Sequence, residues 1–193
     1  MFKEKIAKMV EAAPQFVRNY PEFLQRHIGI YDESEELYQM LLNRTLEVLR
    51  IISNDSEYIS EINGIYILLN DRVHEFYVNQ VYPGSGLGNH IPMAMCAGVG
   101  LVDIGDNLII VNTKFCEMER NMQVFLLLHE LGHILCGDAL NELEADRYAC
   151  QCMEEGVGKK QLEKIVRYVE DACKDNPQYH GYVESVKIRL NFV

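Results

Sequence analysis

Apolar residues recur three or four positions apart over the first quarter of the chain, which is the spacing of one helix face. The pattern predicts helices over residues 3–13, which Pro14 ends, over residues 14–27, and over a third segment that Asp32 or Ser34 opens and that runs to about residue 53. We therefore expect residues 1–56 to form an N-terminal helical segment. Its apolar stripe would pack on the rest of the protein, and a docking surface for a protein partner is the alternative.

Shorter apolar stretches in the middle of the chain alternate or run together, which is typical of strands. They predict strands over residues 64–69, 72–81, 93–97 continuing through 99–104, and 107–112. A turn at Asn70 and Asp71 would join the first two, and residues 82–92 form a loop because they are rich in glycine and proline.

Helical periodicity returns in the second half of the chain. It predicts helices over residues 119–136, 141–155, 160–174 and 182–191. Strands followed by helices favour an α+β fold, here a small mixed sheet packed on a pair of helices. We expect residues 57–193 to form this domain and to make one compact unit with the N-terminal helices.

Composition narrows the classes of function. The 193 residues carry a net charge of −11, which argues against a nucleic-acid partner and against an anionic membrane surface. No apolar run is long enough to span a membrane, and the first residues lack a secretory apolar core, so we expect a soluble, cytoplasmic protein. The six cysteines are irregularly spaced, and we expect them to be small buried hydrophobes in a reducing compartment.

Candidate chemistry lies in the first of these late helices, where His129, Glu130 and His133 form the pattern H-E-x-x-H. Residues four apart share a helix face, so the two imidazoles can bind one tetrahedral Zn²⁺. Glu130 lies beside them and can act as a general base toward a zinc-bound water. The surrounding helix is apolar on almost every side, as in a buried helix. Burial of these polar residues costs free energy unless they are paired or bind a ligand.

A catalytic zinc site needs a third protein ligand. Gly137 can end the first helix and Asn141 can cap the next, which leaves four acidic candidates: Asp138, Glu142, Glu144 and Asp146. Glu142 and Asp146 share an otherwise apolar helix face. We therefore predict Glu142 as the third ligand and Asp146 as the acceptor for the free N–H of a ligating histidine.

The motif H-E-L-G-H followed by N-E-L-E-A-D-R-Y-A resembles the gluzincin group of zinc peptidases, as in the HtpX-like and ImmA/IrrE-like families. The resemblance implies that Glu142 binds zinc, that Asp146 supports a histidine, and that residues 93–97 form a sheet edge to which a peptide adds. Residues 176–180 and Arg189 are loosely similar to a late segment of the HtpX-like proteins. Only eight residues separate His133 from Glu142, so Asp146 remains an alternative ligand.

These observations predict a zinc-dependent endopeptidase that acts on peptide or protein substrates. His180, Tyr148 or Tyr182 would donate to the oxyanion formed in hydrolysis. A narrower alternative is a regulatory protease of the ImmA/IrrE type with one protein partner. A third is a non-catalytic, zinc-containing interaction module, which a fourth protein ligand such as Cys136 or Asp138 would favour.

Overall fold

A computed structural model describes residues 2–28, 34–81, 94–96, 108–136, 141–175, 177 and 180–193. Their elements follow in the order α1 (Phe2–Ile28), α2 (Glu35–Asp55), β1 (Glu57–Ile62), β2 (Ile65–Leu69), α3 (Asp71–Val81), β3 (Ala94–Cys96), β4 (Leu108–Val111), α4 (Thr113–Glu117), α5 (Arg120–Cys136), α6 (Glu142–Cys152), α7 (Val157–Cys173) and α8 (His180–Leu190). The predicted α+β class is confirmed, with a small mixed sheet among helices.

The sheet has the strand order β1-β2-β4-β3. β2 and β4 are parallel, whereas β1 pairs antiparallel with β2 and β3 pairs antiparallel with β4. The predicted strands did not include β1, whose residues are mostly exposed. The Asn63-Gly64 dipeptide is the sequence signal for this hairpin, because a two-residue hairpin turn requires positive φ angles, which Asn and Gly tolerate. In the structure their φ angles are 51° and 80°.

The two central strands are buried on both faces. Tyr66, Leu68, Leu108 and Ile110 face a core shared with the N-terminal helices, which contribute Ile6, Met9, Ala13, Val48, Leu49 and Ile52. Ile67, Ile109 and Val111 face the opposite way and pack with apolar residues of α4 and α5. The apolar stripes of α1 and α2 thus form part of the core, and the sheet separates them from α5.

Pro14 does not end a helix, contrary to the prediction. α1 continues through it, because Ile6, Met9, Ala13 and Val17 form one buried stripe on both sides of Pro14. A proline inside a helix loses one backbone hydrogen bond at a cost of about 3 kcal/mol. Burial of this stripe offsets that cost.

The predicted strand over residues 72–81 is also wrong, since this segment is α3. The Asn70 side chain does not serve a turn; its Oδ1 accepts from the Val73 backbone N–H at 3.0 Å and so caps the helix. Val73 and His74 are adjacent and both buried, which a half-exposed strand cannot achieve but a helix wedged into a core can. His74 accepts a hydrogen bond from the Asn112 amide at 2.8 Å.

The remaining predicted elements agree with the structure to within a few residues. Ser34 caps α2 by accepting from the Leu37 N–H at 3.1 Å. The extension of β3 over residues 99–104 and the loop over 82–92 lie outside the described residues. The cysteines differ from expectation, because Cys116, Cys136 and Cys152 are exposed and only Cys173 of the described side chains is buried.

None of the described helices combines the length and the apolar content that a membrane span requires. The cytoplasmic location stays a prediction from the sequence.

We predict that Asn70→Ala lowers the free energy of unfolding by about 2 kcal/mol. The change removes the cap of α3 and also the hydrogen bonds that the Asn70 amide donates to Ser56 Oγ, at 2.7 Å, and to the Ile51 carbonyl. Urea denaturation measures the effect. The matched control is Ser34→Ala, which removes an exposed cap, and an equal loss in both variants would contradict a buried role for Asn70.

Candidate metal centre

The candidate centre is built by one helical hairpin, α5 and α6. α5 carries His129, Glu130 and His133, all buried. α6 begins after Asn141, whose side chain accepts from the Glu144 N–H at 3.2 Å, so that Glu142 stands in the first turn. The cap therefore decides where the first carboxylate of α6 lies.

Gly132 lets the two helices approach closely. A Cβ at this position would lie 3.0 Å from the Cα of Ala145 and 3.2 Å from the Cβ of Tyr148. These distances are shorter than ordinary side-chain contacts, so any larger residue would push α6 away. Gly132 thus helps to set the distance between α5 and α6 at the site.

Three side chains converge within this hairpin. The Nε2 atoms of His129 and His133 lie 3.2 Å apart. The Glu142 carboxylate spans both, with one oxygen 3.4 Å from His129 Nε2 and the other 3.6 Å from His133 Nε2. Two ligands of a tetrahedral zinc lie about 3.3 Å apart, so the cluster could hold a metal ion.

Asp146 lies on the other side of the His129 ring. Its Oδ1 is 2.8 Å from His129 Nδ1, and its side chain is almost completely buried. A proton held on Nδ1 leaves the Nε2 lone pair directed at the cluster, which is the tautomer that a metal ligand needs. The geometry therefore favours Glu142 over Asp146 as the third ligand.

Among the described residues, no other group of three or more His, Cys, Asp or Glu side chains is placed to hold a metal ion. Cys136 is exposed and does not belong to the group. Asp138, the other candidate for a fourth ligand, lies outside the described residues.

Neighbouring carboxylates raise the pKa values of both histidines of the cluster. Burial lowers the pKa of His129, but its hydrogen bonds with Asp146 and Glu142 and the charge of Glu130 outweigh that effect and raise the pKa to about 10. For His133 too, burial is outweighed, by Glu142 and Glu130, and the pKa is raised. Burial alone would raise the pKa of Glu142, whereas the two histidines and Arg189 hold it well below its usual range. The site is suited to a cation.

Glu130 is 7 % exposed and follows His129 directly. Its negative charge raises the pKa of both histidines. The side chains of His129, His133 and Glu142 could supply three metal ligands without Glu130. Glu130 is thus a buried carboxylate that follows His129 and is not part of the candidate ligand set.

Comparisons with models of protein families, with curated proteins and with solved structures found no match.

Arg189 of α8 joins the site from far along the chain. Its Nη1 contacts Glu142, and its Nε lies 3.1 Å from the second oxygen of Asp146. The side chain is only 16 % exposed. The sequence placed Arg189 only in a loosely similar late segment, because 47 residues separate it from Glu142 and no local spacing can report such a contact.

The three predicted oxyanion donors lie on α6 and α8. His180 begins α8 with an exposed side chain, and Tyr182 is also exposed. The Tyr148 hydroxyl is hydrogen-bonded to the thiol of Cys152, which raises the pKa of Tyr148. An oxyanion role for any of the three stays a prediction.

We predict that Gly132→Ala lowers the free energy of unfolding by about 1 to 3 kcal/mol, because the new methyl group forces α6 away from α5. Urea denaturation of the metal-free protein measures this. Gly181→Ala is the matched control: it adds the same methyl group to α8, where nothing lies within 4 Å, and should be neutral or slightly stabilising. Equal stabilities of the two variants would show that Gly132 is not a tight contact.

Metal uptake should release protons. With a pKa near 10, His129 is protonated at neutral pH in the metal-free protein, and its Nε2 must lose a proton to bind a metal. Zinc affinity should therefore increase as pH rises through neutrality, with release of about one proton or more per zinc bound. Calorimetric titrations in two buffers of different ionisation enthalpy measure the release. Identical observed enthalpies would contradict it.

Proposed function

We propose that the protein is a zinc-dependent endopeptidase of the gluzincin type. The observation that carries this proposal is the convergence of His129 Nε2, His133 Nε2 and the exposed Glu142 carboxylate, with the buried carboxylate of Glu130 next to His129 in the chain. Two imidazoles and one carboxylate are the donor set of catalytic zinc sites that keep an open position.

The donor set supports zinc over the alternatives. Magnesium and calcium prefer sites made of oxygen ligands, whereas imidazole suits zinc and related transition metals. The hydrogen bond between His129 Nδ1 and Asp146 supports the same choice, because histidine ligands of zinc usually donate their second N–H to a carboxylate.

Hydrolysis requires a base as well as a metal. Bound zinc would polarise the scissile carbonyl and make water more acidic. Glu130 would accept the proton of the attacking water on its carboxylate and pass it to the leaving amine. A purely structural zinc site is closed by four protein ligands and needs no base, whereas a catalytic site needs one. The buried Glu130 next to His129 therefore favours a catalytic centre.

The sheet edge supports a peptide as the substrate. In the described part of the chain β3 is the outer strand on its side of the sheet, and it lies against α5. An extended peptide that adds to β3 as a further strand would run beside the helix that carries Glu130. Backbone hydrogen bonds would then hold the substrate.

We predict that Glu130→Gln lowers the rate of hydrolysis by about 10²- to 10⁴-fold, while about one zinc per chain is retained because the ligands are unchanged. Zinc content is measured by elemental analysis. Activity is measured by incubating the metal-loaded protein with a proteome and identifying new N-termini.

Glu144→Gln serves as the matched control. It makes the same chemical change to an acidic residue of α6 that pairs with Arg147, outside the cluster. Wild type and Glu144→Gln should give the same new N-termini. If Glu130→Gln gives them too, the peptidase proposal is wrong, and a non-catalytic metal-containing module is then the better description.

A further inference from the structure

The last helix reaches the metal centre through one side chain. Arg189 Nη1 donates a hydrogen bond to Glu142, and Arg189 Nε forms an ion pair with Asp146 Oδ2 at 3.1 Å without hydrogen-bond geometry. These two carboxylates flank the two ring nitrogens of His129. One guanidinium is therefore paired with the acids on both sides of one histidine.

We propose that Arg189 is a positioning residue that couples the docking of α8 to metal binding. By fixing the carboxylates of Glu142 and Asp146 relative to each other, it makes the last helix necessary for tight metal binding although α8 supplies no ligand. The inference rests on the metal-binding part of the proposed function, and it does not depend on peptidase activity.

The need for a bridging cation follows from the spacing of the two acids. Glu142 and Asp146 stand one helical turn apart, where like charges repel, and Asp146 is buried. Arginine carries its charge on a rigid, planar group, so it can hydrogen-bond one carboxylate and form an ion pair with a second at once, as Arg189 does with Glu142 and Asp146. A lysine ammonium carries the same charge but offers no such planar group.

Charge balance points the same way. Glu130, Glu142 and Asp146 bring three negative charges to one centre, and Arg189 brings one positive charge. A divalent cation bound by neutral histidines makes the sum zero. Without Arg189 the same metal would leave a net negative charge in a partly buried site, which is unfavourable.

Apolar contacts hold α8 in place independently of Arg189. Val183 packs with Val169 and Cys173 of α7, and Leu190 packs near Ala149 of α6. Variants at position 189 should therefore fold, and their effect on the metal can be measured.

The first experiment compares the zinc affinity of wild type, Arg189→Met and Arg189→Lys in competition with a chromophoric chelator. Loss of a residue that supports metal ligands typically costs about 10- to 100-fold in affinity, and we expect Arg189→Met to fall in this range. Arg189→Lys should recover little of the loss, because charge alone does not fix both carboxylates. The Co²⁺ absorption spectrum should change in both variants.

Lys187→Met is the matched control. Lys187 is also a cation of α8 that bridges two carboxylates, those of Glu170 and Glu184, but neither belongs to the centre. Its loss should leave zinc affinity unchanged. Circular dichroism melts of all the variants check that they are folded.

A second experiment uses the wild-type protein, so it does not depend on how a variant folds. Coupling is reciprocal: if docked α8 strengthens zinc binding, zinc must stabilise docked α8. Hydrogen exchange should therefore slow in residues 181–190 on zinc addition, as well as in α5 and α6, and residues 6–17 of α1 should change least.

Each outcome bears on a different statement. The coupling is wrong if Arg189→Met and Arg189→Lys bind zinc as tightly as wild type does. It is also wrong if zinc does not change hydrogen exchange in α8, and neither result affects the peptidase proposal. If the Arg189 variants lose affinity while Glu130→Gln still cleaves, the coupling stands and the peptidase proposal fails. Absence of zinc binding by wild type would overturn both.

Discussion

The close approach of α5 and α6 is the constraint on which the candidate centre depends. Helices normally pack 8 to 10 Å apart, at a distance that their side chains set, and Gly132 removes the side chain at the point where α6 crosses. With the helices this close, Asp146 reaches His129 and Glu142 reaches both His129 and His133. The geometry of the candidate centre thus depends on the lack of a side chain at position 132.

The parts of the site that are local in sequence could be predicted, and the parts that are distant could not. Helical spacing alone puts His129 and His133 on one face and Glu142 and Asp146 on another, and the structure brings the four together. Arg189 comes from 47 residues away, and its position depends on how α7 and α8 pack. Such a contact leaves no periodic signal.

The wrong predictions of secondary structure also come from relying on local sequence where distant contacts decide. Pro14 and the alternation in residues 72–81 are local signals, and in both places tertiary burial overrides them, in α1 and in α3. Asn70 was predicted to form a turn, but its side chain caps α3, and the pair Asn63-Gly64 forms a hairpin turn that the predicted strands did not include. Both residue types have a local physical reason for the structure that they adopt, whereas the alternating pattern of residues 72–81 does not match the helix found there.

Sequence distance also distinguishes the two halves of the molecule. The histidines and acids of the centre lie within 17 positions of one another, whereas Tyr66 pairs with Leu108 across 42 positions of chain. Closing a longer loop costs more entropy and slows folding. The ligand-bearing hairpin therefore has the lowest contact order of the site, while the sheet that supports it and the helix that carries Arg189 must be gathered from distant parts of the chain.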